Sequence, residues 1–91
     1  MEAYLHKDAD KYLNRLNAKD RERLNDAIDK LEKEPPEGDI EPITGQQGNF
    51  RTRVGSYRIL WRIKDNSILV THIEPRGQAY TKKTKSNRGK K

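Results

Sequence analysis

Apolar residues in the first third of the chain recur at helical spacing. Ala9, Tyr12, Leu13 and Leu16 fall at i, i+3, i+4 and i+7, with Asp8, Asp10, Lys11 and Arg15 between them. One stripe of such a helix is apolar and the rest is charged. Asn17 is a good N-cap, Asp20 sits where an acid favours a helix start, and Leu24, Ala27, Ile28 and Leu31 repeat the spacing. Pro35-Pro36 stops this second helix. The two form a helical hairpin with a very short connection, and each has too little apolar surface to be stable alone.

The cover for those stripes comes from the second half, where the pattern changes to that of strands. Residues 50–54 (Phe-Arg-Thr-Arg-Val) and 57–63 (Tyr-Arg-Ile-Leu-Trp-Arg-Ile) flank Gly55-Ser56, which predicts two strands joined by a tight turn. Asp65-Asn66 marks a second turn before a strand over residues 67–73, which Pro75 ends. Residues 37–48 read as a loop with room for a short edge strand at residues 40–43, and Tyr4-Leu5 offers another at the opposite end. Helices followed by strands predict an α+β domain, with the helical hairpin on one face of a twisted antiparallel sheet. Residues 81–91 contain no apolar side chain and predict a solvated, disordered basic tail, so the folded domain is expected to span residues 1–80.

Charge divides unevenly along this plan. Residues 1–48 hold 8 Lys+Arg against 12 Asp+Glu, a net −4; residues 49–80 hold six against two, a net +4; residues 81–91 hold six and none, a net +6. A concentrated basic region is the electrostatic footprint of a nucleic-acid binder, with phosphate as its natural partner. The absence of cysteine excludes a disulfide framework and a thiolate metal site. No apolar run approaches the roughly 20 residues that span a bilayer, and the N-terminus lacks the order of a signal peptide. The expected location is the cytoplasm, with no membrane association.

The basic strands carry the candidate chemistry. With a two-residue loop, Arg53 faces Arg58 and Arg51 faces Leu60, so Arg51, Arg53 and Arg58 share one face. Like charges directly opposite on neighbouring strands cost something on the order of 0.2–1 kcal/mol, and an anion between them reverses the sign. Arg76 and Tyr80, just beyond the third strand, are placed to join that face. Arginine meets phosphate with a planar fork of donors and keeps its charge. A cluster of them can stabilise the extra negative charge that builds on phosphorus during strand cleavage. Arg62, Lys64, Lys82 and Lys83 are further candidates for RNA contact, although a lone basic residue on a strand is more often merely solvated. Tyr57 and Trp61 share a face with Ile59 and Ile63 and read as core. His6 and His72 have no carboxylate or second histidine at a useful spacing and read as structural. Asp65 and Glu74 are too few acids to hold a pair of Mg²⁺ ions, so no metal or other cofactor is expected.

The run from Phe50 to Trp61, the apolar strand after it and the closing Glu74-Pro75-Arg76-Gly77-Gln78-Ala79-Tyr80 resemble the RelE branch of the RelE/ParE toxins, over residues 4–80. The resemblance implies the toxin of a type II toxin–antitoxin pair that cuts mRNA in the ribosomal A site. It implies that Arg51, Arg53 and Arg58 hold the phosphate and stabilise the transition state. Arg76 would act at the leaving 5′ oxygen, and Tyr80 would stack on a base or help to remove the 2′-OH proton. Bacterial relatives often carry Lys where this chain has Arg51 and Arg53, and arginine is a poor proton shuttle. The proton carriers therefore stay open. The implied partners are the ribosome with its mRNA and a RelB-like antitoxin. Two other readings remain: a ParE-like inhibitor of DNA gyrase, and a toxin-like module that binds RNA without cutting it.

Overall fold

A computed structural model describes residues 1–75 of the 91-residue chain. Arg76, Tyr80, Lys82 and Lys83, the expected domain end at residue 80 and the basic tail lie outside the described residues. The elements follow the order β1 (Ala3–Leu5), α1 (Lys7–Arg15), α2 (Ala18–Leu31), β2 (Asp39–Pro42), β3 (Asn49–Val54), β4 (Tyr57–Lys64) and β5 (Ser67–Pro75). The strands form one sheet in the order β1-β5-β4-β3-β2, with the middle strands joined by hairpins and both short strands at the edges. One pairing departs from the expected antiparallel sheet: β1 runs parallel to β5. Everything from α1 to β4 lies between them in the chain, well over the dozen or so residues that a parallel pair requires.

Local chemistry sets each boundary. The Asn17 side chain accepts a hydrogen bond from Asp20 N at 2.9 Å and caps α2, as its position in the sequence predicts. His6 caps α1, its Nδ1 accepting from Asp8 N at 3.1 Å. This accounts for one of the two histidines as structural. At the β3–β4 turn Gly55 takes φ +56°, and at the β4–β5 turn Asp65 and Asn66 take φ +52° and +60°. Positive φ at both central residues, as at Asp65-Asn66, or at the first alone, as at Gly55-Ser56, matches strand twist, and Asn and Asp tolerate it best after glycine.

Ala9 and Leu13 of α1, Leu24, Ile28 and Leu31 of α2, Ile59 and Trp61 of β4, and Ile68, Val70 and Ile73 of β5 make the buried core. Every one of these strand residues lies on the face under the helices. Strand β5 keeps that phase through an irregularity: Leu60 pairs with His72 but Trp61 pairs with Val70, leaving Thr71 as an extra residue. The bulge is why Val70 and Ile73, three apart, can both face the core. Trp61 is expected as core and is 3% exposed, whereas Ile63 lies on the same face at the far end of β4 and is 44% exposed.

The helices are tied to the sheet by polar contacts as well. Tyr57 donates from its hydroxyl to Asp20 at 2.8 Å and meets the Tyr12 ring edge-on at 6.4 Å. The bond to Asp20 is the main cause that raises the Tyr57 pKa above its ordinary value. A raised folded value means that the unfolded chain loses the phenolic proton first. The stabilisation is complete below pH ~10 and is lost as pH rises through the folded value. Thermal melts of Tyr57→Phe are expected to lose less stability above pH ~10 than the wild type does; equal alkaline losses would show that the bond contributes nothing.

Candidate functional site

Alternation along each strand decides which side chains reach the face away from the helices. With Thr52, Ile59, Trp61 and Val70 buried, the open face carries Arg51 and Arg53 from β3 and Arg58, Leu60, Arg62 and Lys64 from β4. Register places them in rows across the sheet. One row reads Asp39, Arg53, Arg58, Glu74; the next reads Glu41, Arg51, Leu60, His72; a third reads Asn49, Arg62, Leu69, Tyr4. The three arginines expected to share a face do share it, and Arg53 stands opposite Arg58 as the two-residue turn dictates.

Two strands supply the anions that this repulsion calls for. Arg58 donates from Nε at 3.1 Å and from Nη2 to the same oxygen of Glu74. Arg51 donates from Nη2 to Glu41. Both arginine side chains are more than four-fifths covered, while Glu41 is 54% exposed. The outer carboxylates thus hold the two guanidinium groups in place from opposite edges of the face. The other terminal nitrogen of Arg51, Nη1, is buried and has no hydrogen-bond partner among the described residues. A stranded donor of this kind costs about 1–3 kcal/mol and marks a place where an acceptor would be welcome.

A groove of about 410 Å³ opens beside these groups, lined by Glu41, Pro42, Ile43, Thr44, Gln46, Arg51, Arg58 and Leu60. It joins two fixed guanidinium groups, an unpaired donor and an exposed carboxylate. That set can take a phosphate and offers a proton acceptor beside it. Arg62 and Lys64 extend the same face along β4, and their side chains, like that of Arg53, make no hydrogen bond or ion pair among the described residues. Tyr57 and Trp61 are on the opposite, core side. Among the described residues no group of three or more His, Cys, Asp or Glu side chains could hold a metal ion, and no helix is long and apolar enough to cross a membrane.

Sequence reasoning missed the acids. It counts only Asp65 and Glu74 for the basic half, and its short edge strand at residues 40–43 takes in Glu41 but leaves Asp39 in the loop. The signal was present, since Asp39 and Glu41 alternate within a possible edge strand and so fall on one face. His72 is exposed on the open face beside Leu60.

The family model for the ParE toxin of the type II toxin–antitoxin system parDE matches residues 4–80. No curated protein sequence matches the chain. Among solved structures, the archaeal RelE–RelB complex from Pyrococcus horikoshii OT3 contains a chain 27% identical, with a TM-score of 0.72, covering 85% of this chain and 96% of that one. The RelB–RelE antitoxin–toxin complex from Methanococcus jannaschii gives 24% identity and a TM-score of 0.70, covering 85% and 94%. The toxin–antitoxin complex RelBE2 from Mycobacterium tuberculosis gives 20% and 0.68, covering 82% and 96%; these last two likenesses are of fold. With two helices against an open five-stranded sheet and a match that runs from β1 to residue 80, the chain belongs to the ParE toxin family of type II toxin–antitoxin systems, within the RelE/ParE superfamily.

Proposed function

We propose that this toxin is an endoribonuclease that cuts mRNA in the ribosomal A site. The observation that carries the reading is the arginine cluster on the open face, with Arg51 and Arg58 held by carboxylates beside a phosphate-sized groove. In the proposed reaction the ribose 2′-OH attacks the adjacent phosphorus. A 2′-O–P bond forms, the P–O5′ bond breaks, and a 2′,3′-cyclic phosphate and a 5′-OH result without a metal. Arg51, Arg53 and Arg58 bind the phosphate and stabilise its added charge. Glu41, exposed at the groove and bonded to Arg51, is the carboxylate available to take the 2′-OH proton. Arg76, which follows Pro75 directly in the chain, acts at the leaving 5′ oxygen, and Tyr80 stacks on a base or assists proton removal.

The partner that silences it is an antitoxin, as RelB is in the complexes of the similar structures. A segment mixing acidic and apolar residues suits a face where arginines surround Leu60 and Leu69. The family's ParE description favours a second reading, inhibition of DNA gyrase by protein binding.

The test is mRNA programmed on purified ribosomes, comparing the wild type with Glu41→Gln, Arg76→Ala and Tyr80→Phe. The expected result is A-site cuts ending in cyclic phosphate. They should slow by ~10²–10⁴ when the proton acceptor is removed, and be slowed in the other two variants. Intact mRNA alongside inhibited gyrase would transfer the function to the second reading. Normal cutting by Glu41→Gln would remove that residue from the mechanism.

A further inference from the structure

The third row of the open face has no part in the groove. Asn49, Arg62, Leu69 and Tyr4 lie side by side on β3, β4, β5 and β1. Tyr4 is 54% exposed, the most exposed large hydrophobic residue of the described chain. A lone exposed aromatic is ordinary. Here, however, it shares a row with a half-buried leucine, a cation and an amide, and each lies on the same face as the arginine cluster. Arg62 has no carboxylate in its row, unlike Arg51 and Arg58 in theirs. The hydroxyl of Tyr4 donates to Glu2, which ties down its polar end.

From these positions we infer a second RNA subsite, in which Arg62 with Asn49 receives a phosphate of the mRNA strand flanking the cut and Tyr4 on Leu69 stacks one of its bases. Spacing supports it. Arg58 and Arg62 are four residues apart on one strand, about 14 Å, which places the subsite beyond the nucleotide being cut. Tyr4 is two strands from Arg62, about 10 Å, a distance that a nucleotide bridges from phosphate to base. Cations that follow a strand beside an aromatic platform are the usual means of holding single-stranded RNA without reading its sequence. A cation beside an exposed aromatic ring offers a nucleotide both of the contacts it needs, one for its phosphate and one for its base.

The inference rests on the RNA-cutting reading for the identity of its ligand, and the two can fail separately. The probe is a single-stranded RNA with a 2′-O-methyl at the cut position, in lengths of about three and six nucleotides, with 2-aminopurine placed at each flanking position in turn. With the full chain, the longer RNA is expected to bind about tenfold more tightly than the shorter, and one 2-aminopurine position is expected to be quenched by stacking. Tyr4→Leu should abolish the quenching and most of the tenfold gain, Tyr4→Phe should keep both, and Arg62→Ala should lose the gain. Unchanged melting temperatures confirm that each variant is folded.

If length brings no gain, or if gain and quenching survive Tyr4→Leu and Arg62→Ala, the subsite is refuted. The same holds if these variants weaken binding of a protein partner and leave RNA binding intact. A wild type that binds RNA as expected but leaves ribosome-bound mRNA whole would sink the cutting reading and retain the subsite. A wild type that cuts, with variants that cut at the same kcat/KM, would do the reverse.

Discussion

Arg58→Ala is expected to slow cleavage of ribosome-bound mRNA by about 10²–10³-fold, the effect of losing one preorganised donor to a charge that develops in the transition state. The position explains the size. Arg58 lies at the centre of the open face, opposite Arg53 on one side and bonded to Glu74 on the other. Its removal takes away a positive charge and leaves the Glu74 carboxylate without its Arg58 partner. Arg58→Ala combined with Glu74→Gln should therefore recover part of the rate, whereas Glu74→Gln alone loosens a guanidinium that was held in place. Arg58→Lys keeps the charge without the planar fork and should fall between wild type and alanine. Arg58 is largely covered and Glu74 about a third exposed, so the variant should also lose about 1–3 kcal/mol of stability. A single-variant rate within a few-fold of wild type in initial-rate assays would show that this arginine does not face the reacting phosphate.

The largest loss of stability is expected at Trp61. Its indole stacks on Phe50 with ring centroids 4.6 Å apart, and its N–H donates to the Thr52 hydroxyl at 2.9 Å. Thr52 is 2% exposed and is the one buried polar residue among those described. Truncation to alanine removes the ring, opens a cavity under the helices and strands the threonine oxygen, for a loss of about 3–5 kcal/mol. For a domain of this size that is a large part of its total stability, roughly 5–15 kcal/mol. Trp61→Phe should retain most of the packing and lose about 1–3 kcal/mol through the unpaired hydroxyl. Replacing both partners, with Thr52→Val beside Trp61→Phe, should cost less than the two changes summed. Urea melts that show full additivity would mean that the hydrogen bond is not what couples them.

The helices and the central hairpin could be read in the sequence because their signals are local. Asn17 caps where its position three residues before Asp20 says it should, and Gly55-Ser56 fixes the register that sets Arg53 against Arg58. Features that depend on distant pairing were less legible. Nothing within Tyr4-Leu5 shows that its strand runs parallel to β5, a fact decided by the helices that carry the chain to the far edge and the hairpins that bring it back. The bulge at Thr71 appears in the sequence only as Val70 and Ile73 falling out of alternation. The site was half visible for the same reason. Its arginines lie on one hairpin, whereas Glu41 and Glu74 reach them from β2 and β5 and become their partners only when the sheet assembles.

Those two carboxylates change what an incoming RNA displaces. A basic protein surface ordinarily sheds or receives mobile ions when it meets nucleic acid, and for a single strand the logarithm of affinity falls with the logarithm of salt concentration by about 0.7 per phosphate neutralised. At Arg51 and Arg58 the counter-ion is part of the chain. Each pair is already neutral, so a phosphate bound there passes its cation on to the carboxylate in place of releasing it, and added salt has little to oppose. Phosphates held there would be nearly invisible in a salt titration, and the measured slope would count only those taken by unpaired cations such as Arg53, Arg62 and Lys64. A shallow slope for this toxin would thus reflect internal ion exchange at a close-fitting site, not a small number of contacts.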